Sequence, residues 1–227
     1  MQINKILGRL LAAVSTTVVF ATSAQAALLG RDINGVAVAG SDVSAKFLYD
    51  TDLNITWLRD ANANGLMNWA AANTWASGYS IGIYDDWRLP TVVQPDAACS
   101  GQENADSFGF TCTGSEMGHL WYTELGNTPG PFTNDGDFLN MQSSDYWSGT
   151  EYAPGSSFAW FRTFNGAQHV ISKSAPLFAM AVHPGDVLAA QVPEPESLLL
   201  ALTALGALAL VRRRTNSGRR CHGSTCG

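Results

Sequence analysis

The amino-acid sequence predicts an α+β domain in which two short helices pack on a mainly antiparallel sheet. Short apolar and aromatic segments alternate with turn residues through most of the chain, as expected for strands. Asn165-Gly166 separates two such segments by two residues, which is a strong β-hairpin signal. Two other segments begin at a capping residue and end at glycine, as helices do. The predicted elements are strands at 45–49 and 54–58, a helix at 69–77, a short buried strand at 87–91, a helix at 116–125, and strands at 146–150, 157–164, 167–172 and 178–183.

Capping residues define the two predicted helices. Asn68 caps the first, which Gly78 ends, and Ser115 caps the second, which Gly126-Asn127 ends. Within the strand at 157–164, aromatic side chains occupy both alternating sets of positions, so both faces of the sheet are expected to be covered. Residues 92–113, rich in glycine, aspartate and serine, are predicted to be a surface insert.

The first 26 residues have the pattern of a secretory signal peptide. Lys5 and Arg9 are basic, 10–21 is apolar, and Ala24 and Ala26 are small residues at the cleavage positions. The apolar run is shorter than the ~20 residues of a transmembrane helix. We therefore expect export and a mature chain that begins at Ala27.

The other end carries a second targeting pattern. A linker at 189–197 contains Val192, Pro193, Glu194 and Pro195, whose prolines keep the backbone extended. An apolar helix with a basic stop is predicted at 198–214, because an uncharged run ends at Arg212, Arg213 and Arg214, which hold it on the cytoplasmic side. Residues 215–227 would then be a cytoplasmic tail.

This arrangement resembles the PEP-CTERM sorting signal of exported Gram-negative proteins. The resemblance implies an exosortase-type processing enzyme as partner. It also implies anchoring in the inner membrane before processing, and a final location at the cell surface or in the extracellular matrix. The alternative is a plain C-terminal anchor on a proline-rich stalk.

Charge excludes one class of partner. Residues 27–195 hold eighteen acidic and six basic side chains, a net charge of −12. Binding to a phosphate backbone depends on lysine and arginine, so nucleic acid is not expected as a partner. Cations, and neutral or basic surfaces, are the partners that this negative charge favours.

The body of the chain, residues 27–188, resembles a known family of domains. The segments that carry the resemblance are Leu53 to Leu58, Asp86-Trp87-Arg88-Leu89-Pro90-Thr91, the helix with Glu116, Tyr146-Trp147-Ser148-Gly149-Thr150, and Ala159-Trp160 before Asn165-Gly166. In this order they are similar to the Lcl C-terminal domain family of bacterial surface proteins, a domain of unknown function. The resemblance implies a fold related to C-type lectins and formylglycine-generating enzymes, and it names no ligand.

One loop copies the start of a calcium site. Asp60, Asn62 and Asn64 place oxygen ligands at alternate positions before Gly65, but the twelfth position, which should be a bidentate carboxylate, is Ala71. Two interpretations fit: a weak calcium site, or a turn followed by a helix cap, which such residues favour by themselves. No other cofactor is expected.

Catalysis has little support, and we expect no enzyme. His119, His169 and His183 lie apart in sequence, and there is neither a Gly-x-Ser-x-Gly elbow nor a His-Glu-x-x-His pair. Asp85 and Asp86 are adjacent, so on a strand their side chains would point to opposite faces.

Binding is the better hypothesis. All seven tryptophans lie in the body; most should be core, and one or two facing outward would form a sugar-stacking platform. The chain is therefore expected to be an exported lectin-like protein that binds glycan or exopolysaccharide. The alternative is a structural or adhesive surface protein that binds another protein.

Cys99 and Cys112 are predicted to form a disulfide, because they are the only cysteines of the body and export places them in an oxidising compartment. Closing this short loop should contribute ~3 kcal/mol to stability. Replacing both cysteines should change the mobility of the alkylated chain on a non-reducing gel. Unchanged mobility would contradict the disulfide.

Overall fold

The computed structural model describes residues 28–188. Its elements, in chain order, are β1 (Leu28–Arg31), β2 (Ala37–Val38), β3 (Phe47–Asp50), β4 (Ile55–Leu58), α1 (Trp69–Gly78), β5 (Gly101–Glu103), β6 (Asp106–Phe108), α2 (Glu116–His119), a π-helical turn (Leu120–Glu124), β7 (Tyr146–Glu151), β8 (Phe158–Arg162), β9 (Gln168–Ser172), β10 (Phe178–Ala179) and β11 (Val182–Pro184). The predicted signal peptide with Ala24 and Ala26, the linker, the sorting motif, the apolar helix and the tail lie outside the described residues. The α+β class is confirmed.

Within residues 28–188, the strands form two main sheets and a small hairpin, where a single sheet was expected. The first sheet has the order β11-β4-β3-β1-β2 and is antiparallel throughout. The second has the order β10-β7-β8-β9, with one parallel pair between β10 and β7. The predicted strands at 45–49 and 54–58 are confirmed as β3 and β4, whereas β1 and β2 were not predicted.

The prediction of a single closing strand at 178–183 is wrong. The chain leaves β7 after Ala179 and joins β4 at Val182, so this segment serves both sheets. Met180 and Ala181, between the two strands, are 1% and 0% exposed. An apolar run therefore marks a buried crossing from sheet to sheet here.

Helix α1 follows the prediction closely. The Asn68 side chain accepts a hydrogen bond from the Ala71 amide at 2.9 Å, which is the expected N-cap. The buried side of this helix, with Ala72 and Ala76, packs against β7 and β8. A hairpin at Asn165-Gly166 is also confirmed, with Gly166 at φ +93°, but Arg162 pairs with Gln168, so the loop is longer than the two residues predicted.

The second helix differs from its prediction in two respects. It stops being α-helical after His119, and the Leu125 amide then bonds to the Leu120 carbonyl at 2.9 Å, an i→i+5 pattern. Ser115 makes no side-chain cap, because its hydroxyl accepts a hydrogen bond from the Val93 amide instead. Contact with the insert therefore replaces the local cap.

The segment at 87–91 is buried but is not a continuous strand. Within this segment only Arg88 forms a β-bridge, and its partner is Val182. The Arg88 guanidinium also donates two hydrogen bonds to Glu116, at 2.8 and 2.6 Å. Residues 92–113 were expected to be a surface excursion, yet they contain the β5–β6 hairpin and the fully buried Ser107. Cys99 and Cys112 form the predicted disulfide, with Cα atoms 4.1 Å apart.

The core has three parts. One lies between the first sheet and the α2–π segment, a second between α1 and the second sheet, and a third around Phe47 and Trp87. Residues 158–162 carry buried side chains from Ala159 onward, as expected for a strand covered on both faces. Across residues 28–188, no helix has the length and apolar character needed to cross a membrane.

Helix α2 packs directly on the backbone next to the disulfide. A Cβ atom added at Gly118 would lie 1.9 Å from the Cys112 carbonyl oxygen, whereas one at Gly78 would meet nothing within 4 Å. Gly118→Ala should therefore lower the free energy of unfolding by about 1–3 kcal/mol. Gly78→Ala is the matched control and should change it little. Urea denaturation of the full chain in detergent measures both, and equal midpoints would contradict this packing.

Candidate functional site: an aromatic groove beside the insert

A groove of about 220 Å³ lies where the insert meets the second sheet. Side chains from both parts of the fold form it. Its lining consists of Glu103, Asp106, Phe108, Tyr152, Trp160, His169 and Val170. Aromatic rings and carboxylates in one concavity are the usual components of a small-molecule site.

The insert is held against the sheet at its edge strand β9. Gly109 and Gln168 exchange two backbone hydrogen bonds, of 2.9 and 2.7 Å. The Gln168 side chain also donates to the Ser107 carbonyl at 3.0 Å. The Cys99–Cys112 disulfide closes the base of the same segment. These contacts fix β6, and with it Asp106 and Phe108, beside β9.

Two aromatic pairs shape the groove. Tyr152 meets Trp160 edge to face, with ring centroids 5.7 Å apart, and Phe108 lies over His169 at 6.1 Å. Trp160 is only 3% exposed, whereas Phe108 and Tyr152 are half-buried. The ring surface that a ligand could reach therefore belongs mainly to Phe108 and Tyr152.

The polar groups of the groove are two carboxylates, one phenol and the imidazole of His169. The Tyr152 hydroxyl donates to Asp106 Oδ2 at 2.9 Å, and this hydrogen bond raises the pKa of Tyr152. The phenol therefore stays protonated and orients the carboxylate beside it. Glu103 is exposed at the same rim. The groove thus offers negative charge and hydrogen-bond acceptors next to apolar rings.

The expected platform of exposed tryptophans is not found. All seven tryptophans lie within residues 28–188; five are buried, and Trp69 and Trp75 are half-buried. Lys173 Nζ lies 4.2 Å from the centroid of the Trp69 ring. Five of the large rings therefore belong to the core, and Trp69 and Trp75 are partly covered against it.

Two of the three residues of the predicted calcium loop, Asp60 and Asn64, make side-chain contacts with the protein. Asp60 Oδ1 accepts hydrogen bonds from the Asn62 amide at 3.0 Å and from Asn140 Nδ2 at 3.1 Å. Asn64 Nδ2 lies 2.9 Å from Met67 Sδ, while Asn62 Oδ1 is buried without a hydrogen-bond partner in the described residues. The first contact is the turn geometry of the alternative interpretation. The calcium site stays a prediction.

The three histidines of the body have separate surroundings. His169 lines the groove, His183 packs against Trp87 with centroids 5.5 Å apart, and His119 lies beside Glu124. Asp85 and Asp86 are exposed in the loop before Trp87.

Sequence reasoning missed Phe108 and Tyr152 as groove residues. Asp106 and Phe108 occupy alternating positions of a short strand, and this alternation was the available signal. The glycine-rich composition around them favoured a loop instead. Their approach to Tyr152 depends on how the insert folds back, which local pattern does not specify.

Comparison with known families identifies one segment. Residues 191–214 match the PEP-CTERM protein-sorting motif, which marks the chain as an exported exosortase substrate whose C-terminal part anchors it in the membrane before processing. No curated protein matches the chain. The motif covers the C-terminal end and includes none of the groove residues.

Processing should depend on the proline-flanked glutamate of the motif. In a host with an exosortase, Pro193→Ala combined with Glu194→Ala should leave a larger, unprocessed precursor in the membrane fraction, detected by immunoblot. Glu196→Ala, the same change of residue type two positions away, is the control and should be processed normally. Normal processing of the double variant would contradict the assignment.

Proposed function

We propose that this chain is an exosortase-processed protein of the cell surface or extracellular matrix, whose lectin-like domain binds neutral glycan in the aromatic groove. The groove of Phe108, Tyr152, Asp106 and Glu103 is the observation that carries the proposal. The resemblance of the body to the Lcl C-terminal family, and through it to C-type lectins, agrees with this role. A signal peptide at 1–26 would deliver the domain to that compartment.

The chemistry of the groove suits a sugar. Sugar rings combine apolar C–H faces with hydroxyl groups; the half-buried rings of Phe108 and Tyr152 can contact such faces. The carboxylates of Asp106 and Glu103 can accept hydrogen bonds from the hydroxyls, and bonds to an ionised acceptor are the stronger kind. The volume of about 220 Å³ is below the roughly 300–1,000 Å³ of sites for drug-sized ligands, so it fits one sugar residue of a longer chain.

The negative charge of the groove restricts which glycans can bind there. Two carboxylates at the rim, within a stretch (residues 27–195) whose net charge is −12, repel uronic acids, sulfated sugars and phosphates. Neutral sugars meet no such repulsion, and amino sugars are attracted. We therefore expect neutral or amino-sugar polymers as ligands.

A glycan array probed with the full chain in detergent tests the proposal. The wild type should bind neutral or amino-sugar glycans. Phe108→Ala should weaken binding at least ~10-fold, because it removes a ring that contacts the sugar. Asp106→Asn should weaken binding less, since it keeps the shape of the side chain and removes only the charge.

Phe164→Ala provides the matched control. Phe164 is 52% exposed and is not among the residues that line the groove, so its loss should leave glycan binding unchanged. If no glycan binds while the chain still mediates attachment between cells, the glycan proposal fails. The protein-binding adhesive role would then take its place.

A further inference from the structure

A cluster of four ionisable side chains lies apart from the groove, and none of them is among the residues that line it. Asp50, His119 and Glu124 place their ligand atoms within 4.8 Å of one another. Asp52 Oδ2 lies 3.9 Å from His119 Nε2. The Glu124 side chain is 1% exposed and that of His119 is 13% exposed. Three carboxylates therefore surround one imidazole, two of them almost without access to water.

The π-helical turn creates this cluster. Residues five apart point away from each other in an α-helix of roughly 3.6 residues per turn. The i→i+5 hydrogen bond from Leu125 to Leu120 widens the turn, and His119 and Glu124 come to the same side. Such turns are rare and occur frequently at functional sites.

Asp50 is positioned from the opposite wall by β3 and the loop after it. Its Oδ1 accepts hydrogen bonds from the Asp52 and Leu53 amides at 3.1 and 3.0 Å, and Oδ2 lies 3.4 Å from Trp57 Nε1. Outer contacts of this kind orient the carboxylate ligands of metal ions. Asp50 itself is completely buried, so water does not reach its carboxyl group.

The carboxylates repel each other at this separation. Burial, and then the charge of Asp50, raise the pKa of Glu124, while His119 acts in the opposite direction. Buried like charges persist only with a compensating proton or cation. One imidazole faces three carboxylates, so even an imidazolium leaves excess negative charge in the cluster.

The distance between His119 and Glu124 suits two ligands of one ion, as well as a long hydrogen bond. Their nearest atoms, Nε2 and Oε1, are 3.3 Å apart. A charge-assisted N–H···O bond is usually about 2.7–2.9 Å. Two ligands on a tetrahedral ion, each at about 2.0–2.2 Å, lie roughly 3.3–3.6 Å apart. The observed separation lies in the range for two ligands of one ion and is long for a charge-assisted hydrogen bond, so both atoms can face one ion.

We infer that Asp50, His119 and Glu124 form a binding site for a divalent transition-metal ion of the zinc class. One imidazole with two carboxylates is a ligand set that zinc accepts. Asp52, whose side chain is 47% exposed, lies at the solvent side and gives the ion a path of entry. Three protein ligands leave a coordination position for Asp52, for water or for a bound molecule.

Zinc binding by the metal-free chain tests this site. The full chain, purified without a histidine tag and stripped with chelator, is titrated with Zn²⁺ by calorimetry. The background should carry Cys221→Ser and Cys226→Ser, since thiols of the tail would bind zinc themselves. We expect one Zn²⁺ per chain, and a rise in melting temperature of about 5–10 °C at 100-fold excess over Kd.

His119→Gln and Glu124→Gln should each weaken zinc binding at least ~10-fold, because each removes a ligand. Glu151→Gln, the same change at an exposed side chain outside the cluster, is the control and should bind zinc like the wild type. In chelator, Glu124→Gln should melt no lower than the wild type, since a neutral amide relieves the repulsion from Asp50. Folding of this variant is thereby checked separately from its metal binding.

Cobalt provides a measurement that needs no variant. Co²⁺ bound to one nitrogen and carboxylate oxygens should give visible absorption bands that saturate at one ion per chain and disappear when Zn²⁺ displaces it. Absence of saturable binding of either ion to the wild type would overturn the site. Equal zinc affinity in wild type, His119→Gln and Glu124→Gln would overturn it too, and a proton would then be the compensating charge.

Discussion

The crossing of residues 178–184 from one sheet to the other is the constraint on which the rest of the structure depends. Before it, β10 pairs with β7; after it, β11 pairs with β4. Between the two, the Ala181 carbonyl accepts a hydrogen bond from the Leu58 amide at 2.9 Å. Val182 and Arg88 exchange two further backbone bonds, of 2.8 and 2.9 Å. One buried segment thus joins both sheets and the start of the insert.

Arg88 extends that constraint to the candidate sites. Its guanidinium is held by both oxygens of Glu116, a bidentate pair of fixed geometry. Glu116 begins helix α2, so the helix that carries His119 is tied to the segment that pairs with Val182. The insert, residues 92–113, begins shortly after Arg88 and ends shortly before Glu116. The groove and the ionisable cluster are therefore both connected to the pairing of Arg88 with Val182, although they are made of different side chains.

How far the sequence was informative depended on whether a signal was local. Asn68 and Asn165-Gly166 specified a cap and a hairpin by their own chemistry, and both were predicted correctly. Ser115 is an equally good capping residue, but its hydroxyl accepts a hydrogen bond from the Val93 amide instead. Val93 is distant in sequence, so no local pattern predicts this contact. The groove and the Asp50 cluster escaped prediction for the same reason. Their members are brought together by the insert, by the π-helical turn and by strands distant in sequence.

The sequence by itself determined the sorting signal of the protein, its α+β class, its acidic net charge and the disulfide pair. Each of these depends on composition or on a contiguous motif, such as residues 191–214. Only the tertiary structure decided which tryptophans are fully buried, that Phe108 and Tyr152 face a common groove, and that His119 meets Glu124. The physical reason is that burial and side-chain proximity follow from how distant segments pack, and packing is not encoded in any single stretch of the chain.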